Sequence, residues 1–467
     1  MTPYELMDHQ REGIEFLVHR RAGLLAFEQG LGKTLVAIEA FRRARREGGA
    51  GCLLVICPNS LKRNWKAELL RFAPELDAEI IEGTARIRRK AFSETGATVV
   101  ITSYETARVE VTAILALLAR RRTALVLDES HSAKTWRSLT STAARHFAPH
   151  SAYRWLLSGT PVTNSPADLY TQIEIIAPGE RRLGSMESFL ATAEVDSKTV
   201  RQRIDPFVMR RTKEQCLDLP EKTFVDIRIE LPRWQRALYD DMRSQMWCAI
   251  QTMSGEEYRA FASTALTQLT RLIQIASNPS LLFLEARGAP GKFEALDGVI
   301  EDILAVPGRK LIIWSTFVAT IEALLKRYER YGAVALYGGT LAEDRQGIAA
   351  RFQSDPDTRL LIGNPAAGGV GFTLTAASFT IYESLSWRYD FYAQSQDRNH
   401  RIGQTLPVTY LRMIAADTIE EAVVEALERK AGMAAELLGD GERMPSVSQL
   451  TREEMCHLLL HNELPNA

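Results

Sequence analysis

The residues of this chain best suited to phosphate chemistry follow the short apolar run 24–27, which predicts a buried strand. After that run, Gly30, Gly32, Lys33 and Thr34 open a helical pattern. Glycines let backbone N–H groups close on an anion, and the helix N-terminus adds a positive dipole end. Lys33 would reach the β- and γ-phosphates of a nucleotide, and the Thr34 hydroxyl would bind Mg²⁺. A phenylalanine stands where the usual pattern has its first glycine, so a glycine-rich turn that merely enters a surface helix is the alternative.

A second group able to do chemistry is the acidic pair Asp128 and Glu129, which directly follows the apolar run 124–127. One carboxylate of such a pair can hold Mg²⁺, here Asp128, while its neighbour orients and deprotonates an attacking water. Many strands end in acidic residues, so the pair alone is a weak signal. Its position after a buried strand, downstream of a glycine-Lys-Thr turn, strengthens the prediction.

Two arginines near the end of the chain, Arg398 and Arg401, lie within the polar stretch 394–404. If this stretch is helical, arginines three apart lie on one face. Facing a γ-phosphate, they would neutralise transition-state charge as arginine fingers do. The alternative is a pair of salt-bridged surface arginines.

Gln10 lies on a helical pattern that runs over residues 4–17, upstream of the glycine turn. Its amide offers both a donor and an acceptor, which is what the edge of an adenine requires. A surface glutamine on an amphipathic helix is the other interpretation.

Short apolar runs that alternate with helical patterns must position these groups. Polar residues follow the runs, at the edge where an open parallel sheet binds ligands. The fold class predicted is therefore α/β, with two parallel-sheet lobes in tandem and a helical insertion between them. The predicted boundaries are a first, ATP-binding lobe over 1–180, an insertion and linker over 181–290, a second lobe over 291–430 and a helical tail over 431–467.

Composition narrows the class of protein. The 467 residues are 46% hydrophobic and 25% charged, as in a globular protein. There is no signal peptide and no apolar run of membrane-spanning length, so we expect an intracellular protein without membrane contact. The five cysteines include no C-x-x-C pair, and we expect a reducing compartment and no zinc site. The net charge is −1, but basic residues cluster, which permits a local positive track for nucleic acid.

With these motifs in place, the chain resembles the Swi/Snf-type ATPases, which are helicase-like DNA translocases of superfamily two. The matching segments are 9–10, 30–34, 58–65, 102–105, 128–131, 158–161, 337–340, 367–371 and 394–404. The Arg-Ile-Gly-Gln ending at 401–404 and the Arg-Arg-Thr-Lys run at 210–213 are particularly specific. The chain departs from the family pattern before 367–371, where the family often has a basic residue and this chain has none. The departure concerns the strength of one backbone contact and not the ATPase activity.

The resemblance implies two RecA-like lobes that hold ATP and Mg²⁺ in the cleft between them. In this arrangement Gln10 would lie near adenine, and a glycine of each lobe, Gly32 and Gly371, would help to bind the nucleotide. Double-stranded DNA would cross both lobes and touch the segments that the resemblance assigns to it. The nucleic-acid contacts implied are Ser60, Lys62, Trp65, Ser103 and Gly369.

The function expected from the sequence is a DNA-dependent ATPase that translocates along double-stranded DNA. A strand-separating or annealing helicase on forked DNA is one alternative, and a non-catalytic DNA-binding scaffold is another. A scaffold would be expected to lack the loop lysine, the acidic pair or the arginines, all of which are present. We expect a monomer in a cytoplasmic, prokaryotic or viral setting.

Overall fold

The computed structural model describes residues 4–283, 288–341, 344–366, 372–438 and 451–464. The chain divides into two compact units. The first comprises Met1–Asp218 and Met433–Glu442, and the second Leu219–Gly432 and Arg443–Ala467. Each unit contains one parallel sheet, so the two-lobe α/β fold predicted from the sequence is confirmed.

The first unit is built on a seven-stranded parallel sheet with the order β3-β4-β2-β5-β6-β1-β7. Its strands are β1 (Ala22–Phe27), β2 (Cys52–Cys57), β3 (Ala78–Ile80), β4 (Val99–Ser103), β5 (Thr123–Asp128), β6 (Tyr153–Leu157) and β7 (Val208–Arg211). β2, β4 and β5 are buried at every residue, because helices cover a parallel sheet on both faces.

The α-helices that the structure describes between the start of the chain and Asp218 connect and flank these strands. They are α1 (Asp8–Arg20), α2 (Lys33–Arg46), α3 (Lys62–Phe72), α4 (Ala85–Glu94), α5 (Tyr104–Val109), α6 (Val111–Arg120), α7 (Leu139–Phe147), α8 (Pro166–Ile176), α9 (Met186–Val195), α10 (Ser197–Ile204) and α11 (Lys213–Cys216). α2 buries Val36, Ala37, Ala40, Phe41 and Ala44. Their spacing places them on one face of the helix, which packs into the core of the unit.

The second unit is built on a six-stranded parallel sheet with the order β10-β11-β9-β12-β13-β8. Its strands are β8 (Lys222–Ile229), β9 (Leu311–Trp314), β10 (Val334–Leu336), β11 (Leu360–Gly363), β12 (Phe379–Tyr382) and β13 (Val408–Ala415). Its helices are α12 (Arg233–Thr252), α13 (Gly255–Ser277), α14 (Gly291–Leu304), α15 (Val318–Arg327), α16 (Asp344–Ser354), α17 (Tyr389–Gln396), α18 (Ile419–Leu438, whose last six residues are counted with the first unit) and α19 (Arg452–His461).

The structure distributes residues 181–290 differently from the separate helical insertion expected. β7 completes the first sheet beside β1, and β8 pairs along its whole length with β13 at the edge of the second. Tyr239, Leu269 and Leu272 of α12 and α13 have no exposed surface and belong to the core of the second unit. These helices therefore extend the second unit, because their apolar faces are buried in its core rather than in a core of their own.

The C-terminal segment predicted as a helical tail includes α19, whose Met455, Leu458 and Leu459 are buried in the core of the second unit. Residues 439–450 of that segment lie outside the described residues. Within the described ranges, no helix combines the length and the apolar character needed to cross a membrane.

Candidate nucleotide site

Three loops of the first unit leave the sheet at one edge. β1 lies beside β6, with Leu25 opposite Leu157, and β6 lies beside β5, with Leu157 opposite Asp128. Because these strands are parallel, their carboxyl ends meet at the same edge. The glycine turn, the acidic pair and the polar turn 158–161 are therefore neighbours in space.

The glycine turn after β1 requires its two glycines. Gly30 and Gly32 have φ values of 89° and 79°, in the left-handed region that L side chains rarely adopt. A Cβ atom on Gly32 would lie 2.5 Å from Nε2 of Gln10. α2 begins directly after this residue, so the strand, turn and helix predicted from the sequence occur in that order.

Lys33 folds back into the glycine turn. Its Nζ donates hydrogen bonds to the carbonyl oxygens of Phe27, at 2.9 Å, and Glu28, at 3.3 Å. A Cβ on Gly159, in the turn after β6, would lie 3.5 Å from the same Nζ. The ammonium group is thus buried at the centre of the turn, beside the loop that leaves the next strand.

Gln10 braces the glycine turn from α1. Its Nε2 donates to the carbonyl oxygen of Leu31 at 3.4 Å, and its Oε1 accepts from the backbone N–H of Met7 at 3.1 Å. The ring of His9 makes a second contact with the same carbonyl, at 3.0 Å through Nε2. Gln10 therefore supports the turn through the amide that the sequence assigned to adenine.

A recess of about 800 Å³ opens beside the start of α1 in the first unit. His9 and Arg211 line it, together with Gln215 and Cys216 of α11. Gln10 itself does not line it.

Both carboxylate oxygens of Asp128 accept a hydrogen bond. Oδ2 accepts from the indole Nε1 of Trp65 at 2.7 Å, and Oδ1 accepts from the backbone N–H of Glu129 at 2.9 Å. Asp128 is 6% exposed. Burial and the adjacent Glu129 carboxylate raise the pKa of Asp128 to about 6, while the Trp65 N–H and the Lys33 ammonium group act in the opposite direction.

Glu129 has a left-handed backbone, with φ 49° and ψ 54°, which is uncommon for a residue with a side chain. Its Oε2 lies 3.3 Å from Nδ1 of His131. The same nitrogen lies 3.4 Å from Oγ of Ser158, and that hydroxyl accepts from the backbone N–H of Thr160 at 3.2 Å. A chain of polar contacts therefore joins the acidic pair to the turn after β6.

Glu28 is a residue of the site that the sequence did not single out. Its Oε1 lies 3.2 Å from Nη2 of Arg210, and its Oε2 accepts from the backbone N–H of Lys213 at 2.8 Å. Nη1 of Arg210 also donates to the carbonyl oxygen of Ala26 at 2.9 Å. The Arg-Arg-Thr-Lys run thus fixes the entrance of the glycine turn. The acidic residue before the turn was the available signal, but its partners become clear only once β7 pairs with β1.

The residues expected to contact DNA in the first unit differ in their exposure. Ser60 is exposed in the turn Asn59–Leu61. Ser103 is 3% exposed and caps α5 by accepting from the backbone N–H of Thr106. Lys62 is buried in an ion pair 3.0 Å from Glu82.

Trp65 requires a clear correction, because it has no exposed surface. Its indole is directed to Asp128 inside the first unit rather than to a surface that DNA could reach. The apolar ring belongs to the core, and we therefore assign Trp65 to the support of the acidic pair.

The second unit does not form the helix on which the two arginines were expected to share a face. α17 ends at Gln396, and residues 397–403 form turns and bends. Arg398 is 4% exposed, and its carbonyl oxygen accepts from the backbone N–H of Leu374 at 2.8 Å. Nη1 of Arg401 donates to the carbonyl oxygen of Phe372 at 3.3 Å. Both residues therefore lie against the segment 372–374.

Two expected glycine contacts, Gly369 and Gly371, lie outside the described residues.

Gln404 fastens these turns to the rest of the second unit. Its Nε2 lies 3.1, 3.1 and 3.0 Å from the carbonyl oxygens of Thr375, Ala377 and Asn399. Its Oε1 accepts from the backbone N–H groups of Thr405 and Leu406, both at 3.0 Å. An amide supplies donors and acceptor together, whereas an arginine here would leave the two N–H groups without an acceptor.

Replacing Gln404 by leucine is expected to lower the free energy of unfolding by about 3 kcal/mol or more, because several buried polar groups lose their partner. Urea unfolding followed by circular dichroism measures this change. Gln346→Leu, at an exposed position of α16, is the control and should stay within about 0.5 kcal/mol of the wild type. Equal stability of the two variants would show that Gln404 does not hold these turns.

The residues around Asp128 fit a magnesium ion. Mg²⁺ prefers oxygen ligands and usually binds through one or two carboxylates together with substrate phosphates. Asp128 supplies a buried carboxylate whose ionised form a divalent cation would stabilise, and Thr34 supplies a hydroxyl at the start of α2. Among the described residues, no group of three or more His, Cys, Asp and Glu side chains could hold a metal by itself.

The fold and this edge define a two-unit α/β protein with a glycine-Lys-Thr turn and an acidic pair after neighbouring strands of one sheet. Comparison with known families identifies the SNF2-related domain over residues 9–281 and the helicase conserved C-terminal domain over residues 291–403. The chain belongs to the SNF2-related family, and the resemblance inferred from its motifs is confirmed.

Similar proteins include an uncharacterised ATP-dependent helicase of Mycoplasma pneumoniae, 27% identical over 97% of this chain and 44% of that protein. The mouse chromodomain-helicase-DNA-binding protein 1-like is 27% identical over 97% of this chain and 52% of its own length. The chain thus spans about half the length of these curated relatives. A solved SWI2/SNF2 ATPase core of Sulfolobus solfataricus in complex with double-stranded DNA is 26% identical, with a TM-score of 0.44 over 99% of this chain and 98% of that one.

Proposed function

We propose that this protein is a DNA-dependent ATPase that translocates along double-stranded DNA. The observation that carries the proposal is the meeting of the phosphate loop and the acidic pair at one edge of the first sheet, in a chain of the SNF2-related family. The names of similar proteins, which include ATP-dependent helicases and DNA-binding proteins, favour ATP as the nucleotide and DNA as the partner.

In this proposal the phosphate chain of ATP binds at the glycine turn. The backbone N–H groups that follow Gly30 and Gly32 hold the phosphate oxygens, and the Lys33 ammonium group leaves its two carbonyl partners for them. Gln10 stays at the base end of the nucleotide, and the recess beside α1 offers room for the base. Mg²⁺ held by Thr34 and Asp128 would neutralise charge on the bound phosphates.

Glu129 is proposed as the general base. Its carboxylate takes a proton from the attacking water as the water oxygen bonds to the γ-phosphorus and the bond to the ADP oxygen breaks. Oε2 of that carboxylate lies 3.3 Å from Nδ1 of His131. Arg398 and Arg401 are proposed to offset the negative charge that develops on the transferred group.

We propose that Ser60, which is exposed on the first unit, contacts the DNA backbone. It lies in a turn that continues into α3, so backbone N–H groups at the start of that helix can also donate to a phosphate. Cycles of ATP binding and hydrolysis would then move the protein along the duplex.

ATP turnover with different nucleic acids tests the proposal. We expect slow hydrolysis by the protein alone and a rise of about tenfold or more with blunt duplex DNA, equivalent to ~1.4 kcal/mol of barrier. Single-stranded DNA and RNA should give a smaller rise in ATP hydrolysis. Displacement of a third strand from a triplex measures translocation, and strand release from a forked duplex measures unwinding.

Each alternative has its own result in this experiment. Release of strands from forked DNA would show that the protein is a strand-separating helicase rather than a translocase that leaves the duplex paired. DNA binding without hydrolysis at saturating DNA would reduce the protein to a scaffold and overturn the assignment of the phosphate loop.

A further inference from the structure

Two segments that were expected to contact DNA each donate a hydrogen bond to Asp128, the first residue of the acidic pair. Trp65, from α3, donates to the carboxylate of Asp128 at 2.7 Å. Tyr104, the first residue of α5, donates through its hydroxyl to the carbonyl oxygen of Asp128 at 2.8 Å. Trp65 is fully buried and Tyr104 is 6% exposed, so both contacts are shielded from water.

The contact made by Trp65 fixes the direction of the carboxylate. An indole N–H is a single donor on a rigid ring, and the packed core around the ring leaves it little freedom to turn. The other oxygen of Asp128 is held by the backbone N–H of Glu129. With one donor on each oxygen, the carboxyl plane is set by α3 on one side and by the loop after β5 on the other.

The same tryptophan lies close to the exposed turn that the proposed function assigns to DNA. Trp65 is the fourth residue of α3, and Ser60 stands in the turn directly before that helix. A helical turn spans 3.6 residues, so a shift at the start of α3 carries the indole with it. The indole is therefore the side chain through which α3 reaches the metal-binding carboxylate.

We propose that Trp65 is a positioning residue, which orients the Asp128 carboxylate for Mg²⁺ and links that orientation to DNA contact at the start of α3. The inference rests on the proposed function and adds a regulatory connection to it. Partners of a metal-binding carboxylate typically change metal affinity or activity by about 10- to 100-fold when they are removed.

Trp65→Phe tests the inference, because it removes the N–H donor and keeps an aromatic ring. Trp155→Phe is the matched control, since Trp155 is also fully buried in the first unit and donates its indole N–H to the carbonyl oxygen of Leu17. Mn²⁺ binding is followed by electron paramagnetic resonance in the presence of a non-hydrolysable ATP analogue. Binding of the analogue in EDTA and the stimulation of ATP turnover by duplex DNA are measured alongside.

We expect Trp65→Phe to weaken Mn²⁺ binding about tenfold and to reduce stimulation by DNA, with nucleotide binding in EDTA unchanged. Trp155→Phe should alter none of these measurements beyond about twofold. Equal results for the two variants, with Mn²⁺ binding and turnover intact in the wild type, would overturn the positioning role alone. A wild type that neither binds Mn²⁺ with the nucleotide nor hydrolyses ATP would overturn the proposed function itself.

A second measurement applies to the wild-type fold, in case Trp65→Phe does not fold. The seven tryptophans are replaced by 5-fluorotryptophan, and the resonances are assigned from the single Trp→Phe variants of the other six. The fluorine resonance of Trp65 should move when duplex DNA is added and again when Mg²⁺ and the ATP analogue follow. A resonance that stays in place through both additions would overturn the link.

Discussion

Replacing Lys33 by alanine is expected to reduce DNA-stimulated ATP turnover by about a hundredfold or more, since a positioned charge at the phosphates is lost. In the structure its ammonium group is buried at the centre of the glycine turn and donates to two carbonyl oxygens of that turn. Steady-state phosphate release with saturating duplex DNA measures the effect. Binding of a fluorescent ATP analogue should weaken as well, because the same ammonium group contacts the ground-state phosphates.

Lys90→Ala is the control for this prediction, since Lys90 is an exposed residue of α4 with only a 3.8 Å ion pair to Glu94. Its turnover should match that of the wild type. If Lys33→Ala kept the stimulated rate of the control, the assignment of the phosphate loop would be wrong. Urea unfolding of both variants shows whether the first unit remains intact.

Replacing Glu129 by glutamine is expected to slow hydrolysis by about 10²- to 10⁴-fold while ATP still binds, because an amide cannot accept the proton of the attacking water. The two side chains have nearly the same shape, so the substitution changes the charge and leaves the size of the side chain almost unaltered. Single-turnover hydrolysis measures the chemical step, and titration with a fluorescent ATP analogue measures binding.

The split between binding and hydrolysis distinguishes this variant from Lys33→Ala. Glu187→Gln, in the exposed first turn of α9, serves as the control and should hydrolyse ATP like the wild type. Hydrolysis by Glu129→Gln at the control rate would remove Glu129 from the role of base. Loss of ATP binding in the same variant would instead indicate a structural role for the carboxylate.

The strand, turn and helix around Lys33 could be predicted because their signals are local. A short apolar run, two glycines and a helical pattern follow one another within about a dozen residues, a span that needs no knowledge of distant contacts. The acidic pair was predictable for the same reason, since it directly follows a buried strand. Its place beside the turn followed from the general behaviour of parallel sheets and agrees with the observed register.

Other parts of the site depend on contacts between residues far apart in the sequence. Trp65 was expected to contact DNA only because the resemblance implies such a contact for its segment, yet its ring belongs to the core. β7 was not predicted as a strand, because two of its four residues are arginines, although it hydrogen-bonds to β1. β12 and β13 were not predicted, since threonine, tyrosine and arginine interrupt their apolar pattern although most of their residues are buried.

The position of β1 within the first sheet has a consequence for how the protein is made. β1 lies between β6 and β7, and Ala26 hydrogen-bonds to an arginine 184 residues later in the chain. During synthesis, the apolar strand that leads into the phosphate loop therefore emerges long before either of its neighbours. Contacts of such large sequence separation form slowly and leave strand edges exposed in the meantime. The loop reaches its final geometry only when most of the first unit has been translated, so chain fragments that end before β7 should be prone to aggregation.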